Sequence, residues 1–138
     1  DELADACRRE QVSLIPYSPL AGGVLSGKYQ GGAFPEGARF TQYKDAPDRQ
    51  RQMLRRFVNE GTLASTARYQ EIADDIGMSV VTLAIAWSKQ HDFVASTIVG
   101  ATSPEQVPDL LAAADVTLDA ETMSRLNAVS REIPYPMG

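Results

Sequence analysis

Two stretches of the chain combine an apolar run with small and hydroxyl-bearing residues in a way that could hold a ligand. The first, "VSLIPYSPLAGGVLSGKY" at residues 12–29, passes from its apolar part into a serine, a proline and paired glycines. The second, "STIVGATSPEQV" at residues 96–107, passes into Gly100, Thr102 and Ser103. N–H groups and hydroxyls at a helix start bind phosphate-like anions. A sharp turn and an ordinary capped helix explain the same patterns, so spacing alone leaves both interpretations open.

Helix and strand patterns alternate around these two stretches. An apolar face over residues 2–9 predicts a helix, and the short apolar runs at 12–17 and 96–101 predict strands. Residues 30–58 are rich in glycine, proline and charge without a sustained period, which predicts a long loop. Strands separated by helices favour a parallel sheet with helical crossovers, so the predicted fold class is α/β.

The second half of the chain carries clear helix boundaries. An apolar period through Tyr69 and Ile76 predicts a helix that stops at Gly77, and Ser79 predicts the cap of a following, nearly all-apolar helix. Ser103, with Pro104 and Gln106 behind it, predicts a capping box at the start of a helix over 104–114, and Asp119 opens a last helix. These patterns make the chain helix-rich, with only two candidate strands.

Two parallel strands cannot form a stable sheet that is buried on both faces. We therefore expect the chain to be a portion of a larger domain, and its first residue, Asp1, fits a helix already under way. Parallel strands with helical crossovers are the building units of β/α barrels, which bind ligands at the carboxyl ends of their strands. Both candidate ligand stretches follow a predicted strand, as that geometry requires.

The bulk composition limits the classes of function. The 138 residues are 43% hydrophobic and carry a net charge of -5, which is typical of a globular protein without a basic surface for nucleic acid or anionic membrane. No apolar run reaches membrane-spanning length. Cys7 is the one cysteine, which excludes an internal disulfide and is compatible with a reducing cytoplasm, the location that we expect. A single cysteine and a single histidine predict no metal site.

Other residues that attract attention have plainer interpretations. His91 lies in "SKQHDF", the predicted end of a helix, where a solvated or dipole-facing histidine is favoured over an acid or base. Asp74 and Asp75 are adjacent on a helix and point in different directions, which favours a solvated face over a catalytic pair. Trp87 lies in the apolar helix and is predicted to be a core residue. None of these residues is predicted to be catalytic.

The two candidate stretches, taken together, resemble the segments that follow the seventh and eighth barrel strands of aldo-keto reductases. "PYSPLAGGVLSGKY" at 16–29 is similar to the first of these segments, and "STIVGATSPEQV" at 96–107 to the second. "EIADDIGMSVVTLAIAW" at 71–87 resembles the helical stretch between them, so the likeness spans nearly the whole chain. It is nearest the branch of bacterial reductases and potassium-channel β subunits. The implied fold is the C-terminal portion of a (β/α)8 TIM barrel that contains its seventh and eighth strands.

The resemblance also implies a site for NADP(H), bound in extended form without the Rossmann glycine fingerprint. Tyr17 would stack on the nicotinamide, and Lys28 and Arg39 would lie near the adenosine phosphates. Asp109 stands where the family usually has a glutamate near the adenine, and Leu110 where it usually has an asparagine. The remaining implied contacts are Ser18, Leu20, Ala21 and Gly22 along the pyrophosphate, and Gly100, Thr102, Ser103 and Gln106 at the 2′-phosphate and adenosine end.

The catalytic residues of the family cannot be mapped onto this chain. The family transfers a hydride to a carbonyl carbon, with a tyrosine as proton donor assisted by a lysine, an aspartate and a histidine, all from the first half of the barrel. The predicted partners are therefore the N-terminal half of the barrel and a small-molecule carbonyl substrate, with a homo-oligomer possible. The predicted divisions of this partial barrel domain are 1–29 (helix, seventh strand, cofactor loop), 30–58 (long loop) and 59–138 (helices and eighth strand). A catalytically silent dinucleotide-binding or regulatory module and a structural fragment that binds nothing are the alternatives.

Overall fold

The computed structural model describes residues 2–137, and helices dominate it. Its α-helices are α1 (Glu2–Glu10), α2 (Arg39–Gln42), α3 (Asp48–Phe57), α4 (Glu60–Asp75), α5 (Val80–Lys89), α6 (Val107–Ala112) and α7 (Ala120–Glu132), and its 3₁₀ segments are Ala21–Ser26, Gln30–Gly32 and Pro104–Gln106. Within these described residues, no helix is both long enough and apolar enough to cross a bilayer.

The two predicted strands do not form as extended strands in the described chain. The segments meet in one isolated parallel bridge, between Leu14 and Val94. Val94 precedes the predicted strand at 96–101, and the later residues Ile98 and Val99 are exposed. A strand inside a parallel sheet hydrogen-bonds to a neighbour on each side, whereas each of these segments has a single partner here. Of the predicted strand at 12–17 only Leu14 is paired, and no residue of the predicted strand at 96–101 is paired, although the one bridge is parallel as expected.

The predicted long loop at 30–58 contains two helices, so that prediction is wrong in its local structure. Helix α3 begins directly after Pro47 and turns Met53, Leu54 and Phe57 inward, while its arginines face solvent. Four arginines within ten residues mask the apolar period of this helix in the sequence. The segment is folded against its surroundings instead of being a structureless connection.

Capping residues place the helices of the second half much as predicted. Helix α4 starts earlier than the apolar period suggests, because the Asn59 side chain accepts from the Thr62 N–H and the Thr62 hydroxyl accepts from the Asn59 N–H. It ends at Asp75, ahead of Gly77 with a φ of 66°. The Ser79 hydroxyl accepts from the Val81 N–H and caps α5, which is confirmed as a buried apolar helix.

Two apolar clusters hold the elements together. The main cluster lies between α4, α5, α6 and α7, and its buried members include Leu83, Leu110 and Leu126. The second, called the aromatic cluster here, connects the first candidate loop to the segment that contains α2 and α3, and its buried members are Ala21, Val24, Tyr29, Phe40 and Phe57. Residues of the predicted long loop therefore pack against the first candidate loop.

Candidate functional site

The bridge between Leu14 and Val94 sets the geometry of the candidate site. The Leu14 N–H donates to the Phe93 carbonyl at 2.8 Å, and the Ala95 N–H donates to the Leu14 carbonyl at 2.8 Å. Because the pairing is parallel, Tyr17 and Thr97, which follow their paired residues by the same distance along the chain, lie at the same end of the pair. The Thr97 hydroxyl is also 3.1 Å from the Ser88 hydroxyl on α5. Both candidate loops therefore start at one edge.

The first candidate loop is a tight turn with unusual backbone angles. Ser18, Ala21, Gly22 and Gly23 have φ values of 58°, 49°, 66° and 97°. The Ser18 hydroxyl accepts from the Gly22 N–H at 3.0 Å, and the Gly23 N–H donates to the Leu20 carbonyl at 2.8 Å. Left-handed angles at Ser18 and Ala21 are costly for residues with a Cβ, so the surrounding structure must hold this turn.

Tyr17 projects from this loop beside an open cavity of about 230 Å³. Its side chain is 83% exposed, so its ring is available to a ligand. Three residues of α5 that sequence reasoning did not assign to a site, Leu83, Ala84 and Trp87, form one wall of the cavity. The sequence signal for this wall is the spacing of these residues along one helical face, which equally well predicts a face buried in the core. Other lining residues are Pro16, Ser18, Pro19, Ala21, Leu25, Tyr69, Val80, Ser88, Leu126 and Met137.

Both predicted cations are connected to the first loop. The stem of Lys28 runs over Gly23, where a Cβ would stand 2.9 Å from the lysine Cε, and its ammonium lies 5.8 Å from the centre of the Tyr29 ring. Arg39 is exposed at the start of α2, next to Phe40, whose ring covers Gly22. The two positive charges thus belong to residues that pack, directly or through a neighbour, against the turn.

The hydrogen bonds of the second candidate loop differ from those that the sequence predicts. Ser103 is the N-cap residue by backbone angle, but its side chain makes no capping bond. Hydrogen bonding from Ser103 is the largest cause that lowers the pKa of the exposed Glu105 below its ordinary value. The Gln106 amide oxygen accepts from the Thr102 N–H at 3.0 Å, and its amide nitrogen donates to the Thr102 hydroxyl at 3.1 Å. The predicted capping box is therefore wrong, and Gln106 braces the loop through Thr102.

Asp109 and Leu110 have structural contacts of their own. The Asp109 carboxylate accepts from the Ser79 hydroxyl at 2.7 Å, and its main-chain carbonyl accepts from the Thr82 hydroxyl at 2.8 Å. Leu110 is only 6% exposed and belongs to the main cluster. Pro108 lies in the first turn of α6, where a missing N–H breaks no helical bond. These residues fasten α6 to α5.

Gly100, by contrast, is exposed, and nothing stands within 4 Å of the position of a Cβ.

His91 is part of a ring stack next to the bridge. Its ring is 4.8 Å from Trp87 in an edge contact and 5.2 Å from Phe93 in a stacked one. Burial lowers the pKa of His91 below its ordinary value of 6.5; Asp92 opposes this shift and Arg8 adds to it. The neutral imidazole is therefore the form that the fold prefers. Within residues 2–137, no three side chains of His, Cys, Asp and Glu come together as a metal site needs.

The lowered pKa of His91 predicts a loss of stability in mild acid. The unfolded chain binds a proton at this ring near pH 6.5, before the folded chain does, so the melting temperature should fall as the pH decreases through this range. Thermal unfolding at pH values between about 5.5 and 7.5 measures this slope. His91→Phe keeps an aromatic ring and should flatten the slope. Identical slopes in both proteins would contradict the assignment. Because His91 is the one histidine, its NMR titration can be followed without ambiguity.

Comparison with characterised protein families gives a match over nearly the whole chain. A sequence model described as "Aldo/keto reductase family" matches residues 1–131. The match includes both candidate loops and every described helix except the last residue of α7.

Individual relatives agree with the family match. Protein tas of Escherichia coli (strain K12) is 33% identical over 134 residues, which make up 97% of this chain and 36% of that protein. A probable voltage-gated potassium channel subunit beta of Arabidopsis thaliana is 36% identical over 105 residues, or 76% of this chain and 30% of the relative. L-glyceraldehyde 3-phosphate reductase of Escherichia coli O157:H7 is 29% identical over 126 residues, or 91% and 35%. The chain thus spans about a third of the length of the curated relatives that it matches.

Proposed function

Because the chain belongs to the aldo/keto reductase family, whose fold is a (β/α)8 barrel, we propose that it forms the C-terminal portion of such a barrel and holds NADP(H). The family and a reductase among its relatives support an oxidoreductase function in general. The complete protein would reduce a small aldehyde or ketone in the cytoplasm. The groups that protonate the carbonyl oxygen would come from the N-terminal half of the barrel.

The observation that carries this proposal is the parallel bridge between Leu14 and Val94. In a β/α barrel, ligands bind at the carboxyl ends of the strands, and the loops after the last two strands often hold phosphate. The bridge brings the carboxyl ends of the two segments to one edge, with the Tyr17 loop after one segment and the Gly100 loop after the other. This is the arrangement that the seventh and eighth strands of such a barrel would require.

The side chains at this edge fit a phosphorylated dinucleotide with an aromatic ring. The exposed Tyr17 ring offers a face for the nicotinamide, and the Ser18 hydroxyl, which accepts from the Gly22 N–H, keeps its hydrogen to donate to a phosphate oxygen. Lys28 and Arg39 supply positive charge beside the turn, in a chain whose net charge is -5. When bound, the nicotinamide supplies the hydride, and the residues of this chain orient it and balance its charge.

The second loop would take part with some rearrangement of its hydrogen bonds. Thr102 and Gln106 already satisfy one another, so a 2′-phosphate would exchange partners with them. The Asp109 carboxylate is committed to Ser79, and Leu110 is buried, so adenine recognition would depend on Gly100, Ser103 and the exposed backbone between them. We therefore expect the first loop to contribute more of the affinity than the second.

Lys28→Gln is the variant that tests the charge contribution. We expect it to weaken NADPH binding by the full-length gene product about tenfold, because one cation beside a phosphate contributes roughly 1.4 kcal/mol. The difference should shrink as salt is added. Quenching of protein fluorescence by NADPH measures the dissociation constant. Lys89→Gln is the matched control, since Lys89 lies in the last turn of α5, which leads into the amino end of the paired segment. Equal affinities in the two variants would contradict the assignment.

A catalytically silent regulatory module is the second candidate function. It is favoured by the relatives named as potassium channel β subunits in Arabidopsis thaliana and Oryza sativa subsp. japonica. Following NADPH oxidation by the full-length gene product with a panel of aldehydes and ketones separates the two functions. Turnover supports the reductase, whereas tight NADPH binding without turnover supports the regulatory module. A protein that neither binds nor turns over would be the structural fragment foreseen as a third alternative.

A further inference from the structure

The paired glycines of the first loop lie against side chains of this chain itself. A Cβ on Gly22 would stand 2.7 Å from Cζ and 2.9 Å from Cε2 of Phe40, distances that real side chains do not adopt. A Cβ on Gly23 would meet the stem of Lys28 at 2.9 Å. Packing therefore requires glycine at position 22, where the Phe40 ring fills the space that any other residue would occupy, whereas the flexible Lys28 side chain could move away from a side chain at position 23.

Phe40 is itself fixed on several sides. It is 1% exposed. The centre of its ring lies 5.5 Å from that of Phe57 in a stacked arrangement and 5.7 Å from that of Tyr43 in an edge arrangement. Its backbone N–H donates to the hydroxyl of the fully buried Tyr29 at 3.2 Å. A ring held in this way by the aromatic cluster is a rigid support, because tightly packed aromatic groups have few alternative positions.

The backbone above this ring needs such a support. Ser18 and Ala21 have left-handed angles, which persist only where the surrounding structure over-determines them. Ala21 and Phe40 belong to the same buried cluster, and the Phe40 ring lies against Gly22, the residue that follows Ala21. The segment with α2 therefore reaches the loop through Phe40, next to the exposed cation Arg39.

We propose that Phe40 is a positioning residue for the NADP(H) site, which holds the Ser18–Gly23 turn in its binding geometry through direct contact with Gly22. Phe40 does not touch the ligand. It connects the order of the segment 29–58 to the affinity of the turn, so any event that loosens this segment would release the ligand. The proposal rests on the function proposed above, and it names what controls that site.

The test measures two properties of Phe40→Leu and Gly22→Ala in the full-length gene product. The first is the NADPH dissociation constant, which should rise about fivefold to tenfold in each variant, as expected for the loss of an organised turn. In the double variant Gly22→Ala with Phe40→Leu, the shorter leucine leaves room for the new methyl. Its affinity should therefore exceed that of Gly22→Ala alone, an interaction that independent sites do not show.

The second property is the hydrogen exchange of the Gly22 and Gly23 amides without ligand. These N–H groups donate to the Ser18 hydroxyl and the Leu20 carbonyl, so Phe40→Leu should speed their exchange. Phe34→Leu is the matched control: the centre of the Phe34 ring lies 5.8 Å from that of Tyr29, and Phe34 packs against the aromatic cluster, but the three atoms nearest to a Cβ on Gly22 belong to Phe40 and Phe57. It should change neither property by more than about twofold.

The outcomes separate this proposal from the one on which it rests. If the unmodified protein binds NADPH and Phe40→Leu binds it equally, with unchanged exchange at Gly22, the positioning role is wrong and the proposed function stands. If the unmodified protein does not bind NADPH, the proposed function fails and the role of Phe40 at that site fails with it. Faster exchange together with weaker binding, restored in part by the double variant, would support the proposal.

Discussion

Leu110→Asn is expected to destabilise the folded chain by about 3–5 kcal/mol, although the family resemblance drawn from the sequence implies an asparagine at this position. Leu110 is 6% exposed and lies in the main cluster, where α6 packs on α5. The substitution removes the packing of a buried leucine and places an amide where apolar groups surround it. A loss of this size is a large share of the 5–15 kcal/mol that typically separates folded from unfolded states.

Leu111→Asn is the matched control for this prediction. Leu111 is the next residue of the same helix and is 63% exposed, so its replacement should change the stability by less than about 1 kcal/mol. Urea unfolding of both variants gives the comparison. If the two variants were equally stable, Leu110 would not be a core residue. If Leu110→Asn also tightened NADPH binding, the side chain would face the ligand, contrary to the packing described here.

Gly22→Ala is expected to cost about 2–4 kcal/mol of stability, the sum of backbone strain and steric overlap. Gly22 has φ 66° and ψ 17°, angles that are unfavourable for alanine. Its added methyl would in addition overlap the Phe40 ring, which is buried and cannot move freely. Both terms act in the same direction, and the second is specific to this position.

Gly31→Ala separates the two terms. Gly31 has nearly the same angles, φ 63° and ψ 17°, but nothing stands within 4 Å of its Cβ position. Its replacement should therefore cost the strain alone, about 1 kcal/mol. The difference between the two melting curves reports the overlap with Phe40. A difference near zero would mean that the ring moves aside without cost, and it would weaken the argument for Phe40 as a rigid support.

Local signals predicted several helix boundaries in the second half of the chain correctly. Ser79 and Asp119 cap helices because a side-chain oxygen bonds an N–H group only two or three residues further along the chain, so the signal lies in the local sequence. The stop of α4 before Gly77 is local in the same way. The predictions fail where contacts with residues distant in sequence determine the local structure. Of the strand patterns at 12–17 and 96–101, only the first takes part in the isolated bridge, through Leu14, and the partner Val94 precedes the second pattern. Pairing depends on neighbouring strands and not on the segment itself.

The candidate site could likewise be predicted only where neighbouring residues determine its structure. The turn at Gly22 follows from residue types in one stretch of sequence, whereas a tyrosine after an apolar run favours packing over the exposure that Tyr17 has. The attachment of Asp109 to Ser79, however, joins residues 30 positions apart, and nothing near either residue indicates it. The same holds for the covering of Gly22 by Phe40, which lies within a segment that appeared structureless. Packing partners distant in sequence determine which polar groups remain free.

The ion pair beside the bridge carries a consequence for how the chain folds. Both nitrogens of the pair come from Arg8, which contacts the two oxygens of Asp92 at 2.8 Å, 84 positions along the chain. An exposed pair of this kind adds little stability, and bringing its ends together demands the closure of a long loop. Helices α4 and α5 are neighbours in sequence, so their contact with one another can form much earlier. We therefore expect the edge at which the two candidate loops start to be among the last parts of the molecule to assemble, and among the first to open.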